Sequence, residues 1–115
     1  MQIHAMSRRD ITLYFDDIRE AIAKIERFTA NMTLDAFLKD EKTIDAVIRN
    51  FEVLGEAASH LTDHEREQYP TLPWAYMIAM RNKVIHEYFG VNTALLWKTI
   101  QEDIPDVKRA LEAIQ

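Results

Sequence analysis

The chain has no cysteine, and only two glycines and three prolines among its 115 residues. Without thiols there is no disulfide framework and no thiolate metal site, and a reducing cytoplasm fits. So few chain breakers leave little room for the many turns of a β-sandwich and ample room for long helices. Also missing is any apolar run near the roughly 18 residues that would span a membrane. The N-terminal "MQIHAMSRRD" has no apolar core of the kind a signal peptide needs. Met6 is an alternative start, so residues 1–6 are read as an extension and residues 7–115 as one domain.

Basic charge is scarce as well. Fourteen Lys and Arg stand against nineteen Asp and Glu, a net −5, which argues against a protein coated in nucleic acid. The distribution is uneven, however. Between Pro70 and Ile100 the only carboxylate is Glu87, while Arg81, Lys83 and Lys98 are basic and His86 can become so. An anionic substrate can be tolerated at this one region.

What is present is apolar residues at helical spacing. Ile11, Phe15, Ile18, Ile22 and Ile25 recur on one side of "SRRDITLYFDDIREAIAKIERFT", opposite Asp16, Asp17, Arg19, Glu20 and Lys24. Ser7, with Asp10 three residues on, resembles a capping box at its start. "NMTLDAFLKD" reads as a turn and a short helix capped by Thr33. A second long helix from about Asp40 carries Ile44, Val47, Ile48, Phe51, Leu54, Ala58 and Leu61 on one face, with Gly55 at the centre of the stripe. A mid-helix glycine costs about 1 kcal/mol relative to alanine, so it marks where another backbone comes close.

"TDHEREQYPTLP" is a connector with room for one helical turn, and Pro73 suits the first turn of a third long helix. Gly90 is its expected stop and Asn92 the cap of a last helix bearing Leu96, Ile100, Ile104, Val107, Leu111 and Ile114. Pro105 should kink that helix or restart it. Four principal helices plus short ones, with no strand candidate, predict an all-α antiparallel bundle.

The stretch "RNKVIHEYFG", Arg81 to Gly90, gathers an arginine, an asparagine, a histidine and a tyrosine in an otherwise apolar region. Trp74, Met77, Ile78, Arg81, Ile85 and Tyr88 share roughly one side of the helix, and Asn82 and His86 a neighbouring one. Arg81 and His86 lie about 140° apart on an ideal helix, too far around for an intimate pair. Either the helix is irregular near Gly90, or both groups converge on a ligand over Asn82, with a second subunit as the opposite wall. The plain alternative makes Arg81 the partner of an acid on another helix, His86 a satisfied helix-end histidine and Tyr88 a core residue. The chemical alternative has a definite logic. Histidine moves protons near neutral pH, and arginine holds a phosphate and stabilises charge developing on it. Together they supply what RNA cleavage without a metal requires.

Other candidate sites are thinner. His60 and His64, with Asp63 between them, could seed a metal site but lack a third ligand. Glu52 and Glu56 share a face and suit a place beside the core stripe, or pairing with bases, better than an acid/base dyad. No phosphate-binding glycine loop, no Gly-x-Ser-x-Gly elbow and no His-Glu-x-x-His occurs.

"RNKVIHEYFG" follows the pattern Arg-x-x-x-x-His-x-Tyr, which resembles the signature of the HepT-like family of HEPN-domain proteins. "AVIRNFEVLGEAA", "YPTLPWAYMIAMRNKVIHEYFGVN" and "DIPDVKRALEAI" are similar to that family in the expected order, covering the chain from about Ser7. The resemblance implies a HEPN-like helical bundle that forms a homodimer, with the motif helices of two subunits facing one cleft. It implies a metal-independent endoribonuclease needing no cofactor, the toxin of a type VII-like toxin–antitoxin pair. Its partner would be an MNT-type nucleotidyltransferase antitoxin. Arg81 and His86 would be catalytic, Asn82 the supporting polar residue, and Tyr88 the tyrosine that the antitoxin modifies with AMP. A non-catalytic HEPN module that docks the nucleotidyltransferase is the alternative, and a plain bundle without a partner a third.

Overall fold

The computed structural model describes residues 10–86 and 92–114, and for residues 85 and 86 the backbone alone. Six helices follow in order: α1 (Ile11–Thr29), α2 (Leu34–Leu38), α3 (Glu41–His60), α4 (Asp63–Glu67), α5 (Trp74–His86) and α6 (Thr93–Glu112). Four are long and two are single turns, and no strand occurs among the described residues. None of the described helices is long and apolar enough to cross a membrane.

Short polar side chains start these helices. Thr33 accepts from the Ala36 amide at 3.1 Å, Asp40 from the Thr43 amide at 3.0 Å and Asn92 from the Leu95 amide at 3.0 Å. The Thr43 hydroxyl, first, and the Thr43 amide hold the Asp40 carboxyl below its ordinary pKa, because both hydrogen bonds favour the charged form. Thr62 and Glu65 close a complete capping box on α4. The start of α1 differs from expectation. Asp10 is itself the N-cap, accepting from the Thr12 amide at 2.9 Å, and Ser7 lies outside the described residues. The expected stop at Gly90 also lies outside them.

α3 is the central element, with α1 on one side and α5 on the other, while α6 packs on α1 and α2. The Tyr14 ring, early in α1, stacks on His60 at the end of α3 with centroids 5.3 Å apart, so these two helices run antiparallel. The predicted stripes of α1 and α3 form the core, with Ile18, Ile25, Val47, Phe51 and Leu54 fully buried. Phe37 of the single-turn α2 is fully buried too, its ring 5.1 Å from Trp97. α6 contributes Leu96, Ile100, Ile104, Val107 and Leu111, and runs unbroken through Pro105. A restart there is therefore corrected. Proline cannot donate to the carbonyl one turn back, but one missing bond does not end a helix whose apolar stripe is buried on both sides of it.

α5 departs most from the expected pattern. Trp74 and Met77, placed on one side of the helix from sequence, are buried, but so are Met80 and Val84 from outside that group. Apolar residues surround this helix, so periodicity could not single out its inner face.

Candidate functional site

The site starts at the glycine in the α3 stripe. A Cβ on Gly55 would overlap the Arg81 Cβ and stand 3.2 Å from the Met77 carbonyl oxygen. The close approach predicted from sequence is that of α5, and the stem of Arg81 fills the notch. Glycine at this position gives up helix propensity so that two helices can meet around a charged side chain.

Above the notch, the Arg81 guanidinium has two partners. Its Nη1 donates to Glu56 Oε2 of α3, and its Nε donates to Asn82 Oδ1 at 2.8 Å. The Arg81 side chain is 14% exposed, whereas that of Glu56 is 57% exposed. The arginine therefore lies almost within the protein and meets solvent on the side of its carboxylate partner. The other Glu56 oxygen, Oε1, is 3.5 Å from His60 Nε2. A cavity of about 500 Å³ opens beside this chain of contacts, lined by Tyr14, Asp17, Arg49, Glu52, Glu56 and His60.

Of the predicted site residues, Arg81 and Asn82 are thus brought together with direct contact. α5 is a continuous α-helix from Trp74 to His86, so irregularity between Arg81 and His86 does not close their angular gap of about 140°. The His86 side chain and the whole of Tyr88 lie outside the described residues. The pairing of Arg81 with an acid on another helix, weighed from sequence, is present. Glu56 pairs with a base rather than with Glu52, which lines the cavity. His60 and His64 do not act together: His60 meets Glu56 and Tyr14, and His64 Nε2 lies 3.3 Å from Gln68 Nε2. No group of three His, Asp or Glu side chains is placed to hold a metal among the described residues.

Sequence reasoning missed the Glu56–Arg81 partnership, although a signal was there. Glu56 directly follows the glycine that marks the helix contact, so it stands at the rim of that contact.

On its other side α5 faces α6 across a groove of about 660 Å³, lined by Met80, Lys83, Val84, Leu95, Lys98 and Thr99 among others. The Tyr76 hydroxyl donates to Asp103 Oδ2 across its far end. Burial, first, and then the hydrogen bond and charge of Asp103 push the Tyr76 phenol up to about 12.

An all-helical bundle with an arginine-bearing helix seated on its central helix is a HEPN-like architecture. The family model of the HepT-like ribonucleases matches residues 18–114, and this chain belongs to that family. It is 45% identical over 102 residues to a protein of Thermococcus cleftensis named "Probable ribonuclease HepT", covering 89% of this chain and 93% of that one. Two proteins of Methanocaldococcus jannaschii whose names mark them as candidate RNases are similar as well. One is 41% identical, covering 96% of this chain and 92% of its own. The other is 37% identical, covering 95% and 100%. No solved structure gives a significant match to the chain.

Proposed function

We propose that this chain is a metal-independent endoribonuclease, the toxin of a type VII-like pair restrained by an MNT-type nucleotidyltransferase. The observation that carries the reading is the seating of Arg81: a mostly buried guanidinium, aimed by two partners, in a chain of the HepT-like ribonuclease family. A fixed, dry-sided cation is suited to charge that develops on a phosphate during reaction.

In this reading the ribose 2′-oxygen attacks the adjacent phosphorus and the 5′-oxygen leaves, giving a 2′,3′-cyclic phosphate and a free 5′-hydroxyl. His86 moves the proton. Two copies of α5 face one cleft in a homodimer, so that Arg81 of one copy and His86 of the other address the same phosphate. That arrangement accommodates the separation of about 140° along one helix. Two copies of His86 also allow one to take the 2′ proton while the other protonates the leaving oxygen. Asn82 steadies the arginine. Tyr88 accepts AMP: its phenol oxygen attacks the α-phosphate of ATP held by the nucleotidyltransferase, and pyrophosphate departs. The adduct adds bulk and negative charge beside the cleft and repels RNA. The pair works in the cytoplasm.

Cleavage of RNA in the presence of chelator tests the assignment. The wild type should cut, and Arg81→Ala and His86→Ala should each lose at least about 100-fold in rate. Unchanged cleavage in His86→Ala would sink it. Adding the partner and ATP should silence the wild type and leave Tyr88→Phe active.

A second reading, a non-catalytic module that docks the nucleotidyltransferase, is favoured by the Glu56–Arg81 pair, since an arginine already neutralised needs no substrate. Wild-type protein that cuts no RNA yet binds the partner would decide for it.

A further inference from the structure

Glu56 offers more than neutralisation. An arginine side chain on a flexible stem can point its fork in many directions, and one acceptor leaves the plane free to turn about that contact. Arg81 has two acceptors from different helices, Glu56 Oε2 on α3 and Asn82 Oδ1 on α5 itself. They grip different nitrogens, Nη1 and Nε, and together define the plane of the guanidinium. Asn82 moves with α5, so Glu56 is the contact that refers the fork to the rest of the fold.

Glu56 is itself braced. Its second oxygen lies 3.5 Å from His60 Nε2, and the His60 ring lies nearly flat on Tyr14, the planes 16° apart. The bracing runs from α1 through the end of α3 to the motif arginine on α5. Gly55, one residue before Glu56, sets the depth of the arginine stem. Adjacent residues of α3 thus hold Arg81 at both ends.

The geometry points to Glu56 as the positioning residue of Arg81: it sets the plane in which the guanidinium presents its other N–H groups to a phosphate. The assignment rests on the reading of Arg81 as the phosphate-binding group. Glu56 touches no reacting atom in it. A simple tie between two helices would affect stability alone, whereas a positioning contact affects the rate of a bound substrate, because misplacing a catalytic group weakens the transition state more than the ground state.

Glu56→Gln keeps the size of the side chain and removes its charge. It should lower kcat about 10- to 100-fold while the RNA KM stays within about twofold, and Glu56→Asp should recover part of the loss. In an Arg81→Ala background the same change should cost nothing further, because a residue acting through Arg81 has nothing left to aim. Equal losses with and without Arg81 would overturn the assignment, as would a Glu56→Gln variant with wild-type kcat beside an inactive Arg81→Ala. Higher RNA affinity in Glu56→Gln would overturn it too, by making Glu56 a competitor of the phosphate.

If Arg81→Ala cleaves normally, the ribonuclease reading of the site fails instead, and a direct measurement still decides the positioning. Hydrogen exchange of the Arg81 Nη1–H group, which donates to Glu56, followed by nitrogen-15 NMR in the RNA-free protein, should quicken at least about tenfold in Glu56→Gln. Unaltered exchange would show that Glu56 does not hold the fork.

Discussion

α5 turns two unlike faces to its neighbours. Toward α3 the backbones meet through Gly55, and the contact buries Met77 and most of Arg81. Toward α6 the same helix borders a groove of about 660 Å³, bridged at its far end by Tyr76 and Asp103. On the tight face the Gly55 position abuts the Arg81 stem and the Met77 carbonyl, which leaves little room for displacement. On the groove face side chains have room, and substitutions there can relax. The charged motif residue sits on the face where its position is most constrained, which suits a group that must be aimed.

The contrast can be broken most forcefully at Met77, which is fully buried. Met77→Ala should destabilise the protein by about 2–5 kcal/mol, read from urea unfolding. A loss below about 1 kcal/mol would mean that the tight face is not tight.

Gly55→Ala probes the notch itself. Its methyl group would overlap the Arg81 Cβ. The overlap costs about 1–3 kcal/mol, offset by about 0.5–1 kcal/mol from better helix propensity. We expect a net loss of stability, together with a loss of cleavage as the arginine stem shifts. A variant more stable than the wild type and equally active would show slack in the contact.

The groove face should respond least. Tyr76→Phe removes one hydroxyl from an exposed side chain, together with its bond to Asp103, and the expected loss near neutral pH is about 0.5 kcal/mol. Its pH dependence is the sharper observation. The folded protein holds the Tyr76 proton up to about 12, against 10.0 for the free side chain. Between those values the unfolded chain has released the proton and the folded one has not. Stability from this group is therefore fully present below about pH 10 and is lost as pH rises through 12. The advantage of wild type over Tyr76→Phe should shrink across that window, and a constant difference would exclude the Tyr76–Asp103 bond as its source.

Much of this architecture is legible in the sequence, and for local reasons. The α1, α3 and α6 stripes repeat with the helical period. Thr33, Asp40 and Asn92 cap the amides that follow them within three residues. The role of Gly55 is legible because a glycine at the centre of an apolar stripe costs helix stability and leaves a notch that only a close neighbour can fill. α5 is harder to read. With apolar residues on all sides, its buried Met80 and Val84 cannot be told from its exposed Tyr76 by spacing. Pro105 misleads for a related reason, since a local preference to break the helix yields to the burial of the stripe around it.

Helical period alone could not tell which acid meets Arg81. Glu52 and Glu56 are one turn apart on the same face of α3, and a slide of one helical turn, about 5.4 Å, would exchange them. Composition and period determine which segments become helices and which sides they bury, because those rules act between residues three or four apart. The partnership of Arg81 with Glu56, across 25 residues of sequence, depends on the register of α5 on α3. That register is settled only when a whole packed surface finds its fit, with Gly55 seated against Met77 and Arg81 of α5.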